Sequence, residues 1–294
     1  MKYQKISDIF KDGRKTLSFE FFPPKTDKGR EQLYRTAEEL MTLSPDFFSV
    51  TYGAGGSSAR STLEIVETLQ SKFDIPVMHH FTCTKHTRVA IRNELNELMA
   101  SGIHNILALR GDPPAAEPHY EPGPDEPRYA FELIKLIRER AGWFSVGVAV
   151  FPEGHCQTPS RELDSLYTRV KQEVGADFGI CQVCFDIEIF REFYMRQCDA
   201  GVTMPMIPGI LPVVNWENFV NFCNRCATKI PEILKPIYEP IAADTAAMEK
   251  AGVDFSVELC RSLLDINVPG LHMYCLNKPE PISTVVHTLG NDWR

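Results

Sequence analysis

The chain has 294 residues, 44% hydrophobic and 24% charged, with a net charge of −8 at neutral pH. No apolar run approaches the ~20 residues of a membrane-spanning helix, and no overall basicity supports nucleic-acid binding. The opening Met1-Lys2-Tyr3-Gln4-Lys5 lacks signal-peptide character and nine cysteines, an odd number, read as reduced thiols, so a cytoplasmic protein without membrane or nucleic-acid partners is expected.

Along the chain, short runs rich in β-branched and aromatic residues alternate with longer stretches of helical period. This is the pattern of repeated βα units and a parallel sheet. Strands are expected at Leu17–Phe22, Phe47–Tyr52, Pro76–Cys83, Asn105–Arg110, Ser145–Phe151, Phe178–Phe185, Met206–Val213 and Leu271–Leu276. Eight of them predict an α/β fold, a single-domain (β/α)8 TIM barrel over residues 1–294. Helices are expected over Lys28–Leu43, over Ser61–Leu69 with Ser61-x-x-Glu64 as a capping box, and over Thr87–Ser101, Tyr129–Ala141, Ser160–Val174 and Ile187–Ala200. Asn215–Cys226, Pro231–Tyr238 and Ala242–Ile266 follow, and Gly102, Gly142, Gly175 and Gly201 read as helix stops. The long irregular segment from Pro113 to Arg128 carries six prolines and follows the fourth strand, so it reads as a rim or lid over the catalytic face.

In such a barrel the chemistry collects at the C-terminal ends of the strands. Glu20 interrupts an apolar run that stops at Pro23-Pro24, which places it near a strand's C-terminal edge. Burial there is expected to raise its carboxyl pKa toward neutrality and suit it to general-acid work; the alternative is a pair with a core Arg or Lys. Thr51-Tyr52-Gly53-Ala54-Gly55-Gly56 follows the second strand, His79 and His80 lie on the third, and Arg110-Gly111-Asp112 ends the fourth. Glu153-Gly154-His155 follows the fifth, Gln182 lies in the sixth and Asn277-Lys278 closes the eighth. Each has a structural alternative: a core histidine, glycines in a plain turn, Asp112 paired with Arg110. Asp164 and Lys171, seven residues apart, share a helix face. Cys181 and Cys184 on a strand point to opposite faces, while Cys223 and Cys226 on a helix share one; neither pair completes a zinc signature, and no metal is expected.

The words S-F-E-F-F-P-P-K (Ser18–Lys25), S-V-T-Y-G-A (Ser49–Ala54), L-R-G-D-P (Leu109–Pro113) and P-G-I-L-P-V (Pro208–Val213), in that order, resemble those of the methylenetetrahydrofolate reductase family. The resemblance runs from the first strand to the eighth. It implies a barrel with non-covalent FAD that takes a hydride from NADH or NADPH and, in ping-pong fashion, reduces 5,10-methylenetetrahydrofolate to 5-methyltetrahydrofolate. On this resemblance Glu20 is the general acid and Asp112 the aspartate beside the flavin. Thr51, Tyr52, Ala54, His80, Arg110, Gly111, Asp112, Tyr129, Ala130, Phe151, His155, Asp164, Tyr167 and Lys171 fall at cofactor positions, and Gln182, Asn218, Phe222 and Lys278 at substrate positions. Phe151, Tyr167, Val170, Asn218 and Lys278 depart from residues seen in family members, namely Tyr, Asn, Arg, Gln and Arg. A homo-oligomer is implied. An iron–sulfur electron-donor subunit in place of the nicotinamide is one alternative, a metal-dependent methyltransferase barrel a second, and a non-catalytic barrel serving as an assembly subunit a third. With Arg294 soon after the eighth strand, no regulatory domain is expected.

Overall fold

Among the residues described by the computed structural model, 3–52, 59–114, 116–226 and 228–294, nine parallel strands alternate with helices. The strands are β1 (Thr16–Phe21), β2 (Phe47–Val50), β3 (Val77–Thr82), β4 (Asn105–Leu109), β5 (Ser145–Val150), β6 (Phe178–Cys181), β7 (Met206–Ile207), β8 (Gly209–Ile210) and β9 (Gly270–Tyr274). Their spatial order is β7-β6-β5-β4-β3-β2-β1-β9-β8. β7 and β8 are two halves of the expected seventh strand, divided at Pro208, which has no N–H for the ladder. One half pairs with β6, the other with β9, and the His272 N–H donates to the Pro208 carbonyl at 3.0 Å. The sheet thereby curls into a nearly closed (β/α)8 barrel. At this junction a Cβ on Gly209 would lie 2.5 Å from the Cys181 carbonyl oxygen, so only glycine lets the strands approach so closely.

The helices are α1 (Ile6–Ile9), α2 (Asp27–Met41), α3 (Ala59–Phe73), α4 (Arg88–Ala100), α5 (Ala130–Arg138), α6 (Arg161–Glu173), α7 (Ile187–Asp199), α8 (Trp216–Cys226), α9 (Lys235–Tyr238), α10 (Thr245–Asp265) and α11 (Ile282–Leu289). Side chains of Thr26, Thr87, Ser160, Asp186 and Asp244 accept backbone N–H bonds at the starts of α2, α4, α6, α7 and α10. Gly102, Gly175 and Gly201 take left-handed conformations just past α4, α6 and α7, as expected of helix stops. The helix expected from Ser61 starts earlier: α3 begins at Ala59, which puts Ser61 inside its first turn. β6 ends at Cys181, so the alternation argument that separated Cys181 from Cys184 fails, and both thiols are buried. Neither α1 nor α11, of 4 and 8 residues, is long enough to have shown a clear period in the sequence.

Strand alternation sorts the core into two layers. Leu17, Phe19 and Phe21 of β1 join Phe48, Val50, Val77 and Phe81 in the large cluster beneath the helices. Inside the barrel, Ile6 and Ile9 of α1 cap a second cluster of Phe47, Met78, Leu107, Phe178, Ile180 and Ile207. Each such side chain contributes roughly 1.5–3 kcal/mol on burial. The α1 backbone is also tied down: the Ile6 N–H donates to Asn105 Oδ1 at 2.8 Å and the Ser7 N–H to Ser145 Oγ at 3.0 Å. The apolar floor therefore closes one end and leaves the polar ends of the strands facing the other.

Candidate active site

Glu20 occupies the inward register of β1, opposite Ser49 of β2 and Tyr274 of β9. Its carboxylate meets two imidazoles: Oε2 is 3.3 Å from His80 Nε2 and 3.2 Å from His272 Nε2. Each ring is oriented by a serine, His80 by Ser49 Oγ and His272 by Ser18 Oγ, both at 2.7 Å. The structure corrects the expectation that burial raises the Glu20 pKa. Desolvation does push it up, but the adjacent His80 and His272 outweigh it and hold the carboxyl down to about 2. Glu20's partners are therefore histidines, not the core Arg or Lys of the structural alternative.

The two strand histidines have opposite fates. His80 lines the cavity, while His79 is buried with neither ring nitrogen hydrogen-bonded. Asp112 does not pair with Arg110. The Arg110 guanidinium instead donates to Gln157 Oε1 and the Gly111 carbonyl, leaving Asp112 exposed at the mouth.

These groups surround one cavity of about 1140 Å³ at the C-terminal ends of the strands. It exceeds the ~300–1,000 Å³ of ordinary ligand pockets. Glu20, Thr51, His80, Arg110, Gly111, Asp112, Tyr129, Ala130, Phe151, His155, Asp164, Tyr167, Lys171, Gln182 and Phe222 all line it. Tyr52 does not; its ring lies edge-on to His86 at 6.4 Å. Asn218 and Lys278 are exposed and outside the lining, and Ala54, with Gly53, Gly55 and Gly56, lies outside the described residues. The proline-rich segment forms part of the wall through residues 118–122, anchored by Lys85 to Glu117 at 2.6 Å, and so is a rim.

Opposite Glu20 the wall is cationic. Lys171 donates to the Ala149 carbonyl at 2.9 Å and lies 5.7 Å from the Phe151 ring centre. Burial pushes its pKa down and that of Asp164 on the same helix face up, each partly offset by the other's charge. His155, packed edge-on against Phe151 at 4.8 Å, is pushed down by burial and then by Arg110. Gly111, at φ +86°, brings backbone to the cavity where a Cβ would meet Thr82 Cβ at 3.0 Å. Among the described residues no group of three or more His, Cys, Asp or Glu is arranged to hold a metal ion, and no helix is long and apolar enough to cross a membrane.

Sequence reasoning did not single out His272, Tyr274 or Arg225, all close to these groups. Alternation along Leu271–Leu276 puts His272 and Tyr274 on one face, a signal that was available. Nothing local distinguishes Arg225 from any other helix arginine.

The profile of the family "Methylenetetrahydrofolate reductase" matches residues 5–290. The chain belongs to the methylenetetrahydrofolate reductase family. It is 33% identical to "5,10-methylenetetrahydrofolate reductase" of Salmonella typhimurium over 98% of this chain and 94% of that protein. With "Methylenetetrahydrofolate reductase (NADH) 1" of Arabidopsis thaliana it shares 35% identity over 97% of its own length, and it spans about half, 50%, of that relative. In fold, a Clostridium thermocellum protein described as uncharacterised and as binding two copies of 5-methyl-5,6,7,8-tetrahydrofolic acid superposes with a TM-score of 0.65 at 14% identity, covering 97% of each chain. Methylenetetrahydrofolate reductase relatives of bacterial length thus match the barrel from end to end.

Proposed function

We propose that this protein reduces 5,10-methylenetetrahydrofolate to 5-methyltetrahydrofolate, using FAD as cofactor, NADH or NADPH as electron donor and Glu20 as general acid. The observation that carries the reading is the meeting of Glu20, His80, Asp112, Gln182 and Phe222 around one cavity in a chain of this family. The donor set suits a flavin dinucleotide. Arg110, His155 and Lys171 supply positive and hydrogen-bonding groups for a diphosphate, Asp164 an acceptor for hydroxyls, and Gly111 a close backbone approach. Thr51, Tyr129, Ala130, Phe151 and Tyr167 would enclose the remainder. When bound, FAD supplies the hydride.

Glu20 holds the proton in company. Its Oε2 is hydrogen-bonded to His272 Nε2 at 3.2 Å, with His80 Nε2 beside it at 3.3 Å. Glu20 then delivers that proton to N10 of the folate, opening the five-membered ring so that the exocyclic carbon can accept hydride. Asp112, exposed at the mouth, faces the pterin with its charge. Gln182 Oε1 accepts from the Val183 N–H at 3.0 Å, which leaves its amide NH2 for a ligand. Phe222 offers a ring for stacking.

The test is anaerobic. The flavin of the purified protein is reduced with dithionite, excess reductant is removed, and methylenetetrahydrofolate is added. Return of the oxidised flavin spectrum with formation of methyltetrahydrofolate is expected. A flavin that stays reduced, or a protein that binds none, would refute the reading.

A further inference from the structure

Four Arg or Lys side chains line the cavity: Arg110, Arg128, Lys171 and Arg225. Three have protein partners. Arg110 bonds Gln157, Lys171 bonds the Ala149 carbonyl, and Arg128 lies 4.0 Å from Glu121. Arg225 has no carboxylate or carbonyl partner among the described residues.

Its position is nevertheless fixed. Arg225 lies in the last turn of α8, three residues after Phe222, so the guanidinium and the ring share one helix face and both reach the cavity. Three residues past α8, the Lys229 N–H donates to Glu153 Oε2 of the loop after β5 at 2.9 Å. Cys226, next in the chain, lies within electrostatic reach of Asp112 after β4 and Cys156 after β5. A helix presents its negative end at its C-terminus and repels anions there. Arg225 reverses that sign at this edge of the mouth.

We propose that Arg225 is the anchor for the glutamate carboxylate of the folate, and so a specificity-determining residue for substrates that carry an anionic tail beyond an aromatic ring. Phe222 takes the aminobenzoyl ring, and one helical turn away, roughly 5–6 Å between side-chain origins, the arginine fork meets the carboxylate in a bidentate pair. The inference rests on the folate reading above. The exposed, cationic Lys278, between the last strand and the last helix, lies outside the cavity lining.

The experiment compares wild type, Arg225→Ala and Arg225→Lys in flavin-loaded protein. It uses methylenetetrahydrofolate turnover and, by calorimetry, equilibrium binding of two probes: 5-methyltetrahydrofolate and the corresponding pteroyl amide, which keeps both rings but has no carboxylate. A partly exposed charge-assisted pair is worth about 1–2 kcal/mol, or roughly fivefold to thirtyfold at 1.4 kcal/mol per decade. Arg225→Ala is expected to raise KM and the Kd of methyltetrahydrofolate by that factor, with the loss falling on KM rather than kcat. The Kd of the amide stays as in wild type, the salt dependence of KM flattens, and Arg225→Lys recovers part of the loss. Equal losses for both probes, or none for either, would overturn the role of Arg225 while leaving folate reduction standing. A wild-type protein that turns over no methylenetetrahydrofolate would instead overturn the functional reading itself.

Discussion

His79 and His80 are neighbours on β3, yet one faces the helix layer beside Phe81 and the other faces the barrel axis. Both are at least 95% buried, at 2% and 5% exposure. His80 touches Ser49 at 2.7 Å and Glu20 at 3.3 Å, whereas both nitrogens of His79 lack a partner. Burial pushes the His79 pKa down to about 3, and the ring stays neutral and idle. Burial therefore does not by itself make a proton-transfer group. A partner that shares the proton does, and the pleat offers one on a single side of the strand.

The comparison breaks most sharply at Glu20. Glu20→Gln keeps the shape and removes the acid, so the folate half-reaction is expected to fall by roughly 10²–10⁴ while reduction of the flavin by pyridine nucleotide stays within a few-fold. Rapid-mixing measurement of each half-reaction checks this, and an equal loss in both would contradict the assignment. A smaller effect follows at the inward histidine. His80→Leu leaves Glu20 with His272 alone, so desolvation moves the carboxyl pKa upward and more of Glu20 carries its proton near neutral pH. The pH profile of the folate half-reaction should shift its alkaline limb, where the acid loses its proton, to higher pH.

The outward histidine should behave in the opposite way. His79→Leu removes two buried nitrogens without partners and is expected to stabilise the fold by about 1 kcal/mol at pH 7 without loss of activity. Its pH dependence is the sharper measure. With a folded pKa of about 3 against an ordinary 6.5, the unfolded chain takes up the proton first, so stability falls as pH drops from 6.5 toward 3, by about 1.4 kcal/mol per pH unit. Denaturant titrations at pH 7 and pH 5 should show that slope in wild type and its reduction in His79→Leu. Glu20 acts in a lower window. Its folded pKa of about 2 lies below the ordinary 4.5, so its contribution is present above pH 4.5 and is lost as pH falls toward 2. Glu20→Gln should therefore flatten only that lower limb.

Much of the barrel was legible in the chain, because its signals are local. Runs such as Val77–Thr82 and Ser145–Val150 are bounded by helical period on either side, and left-handed glycines mark the ends of α4, α6 and α7. Glu20 and Asp112 were readable in words of the sequence and Gln182 and Phe222 as positions implied by the resemblance, and a parallel barrel brings all strand ends to one face, so they meet. The seventh strand was readable in position but not in form. Its division at Pro208 depends on β6 and β9 taking separate halves. α1 was too short to show a period, and it earns its place only by covering the barrel floor.

The sequence by itself determined the order of strands and helices and the end of the barrel where the chemistry lies, since pleat, period and turn residues act over a few positions. Only the tertiary structure decided the protonation of Glu20, because that depends on His80 and on His272, 252 residues away, facing it across the strands. It likewise decided which of two adjacent histidines joins the site. A pKa is set by whatever charge and solvent lie within a few ångströms, and in a closed barrel those neighbours come from opposite ends of the chain.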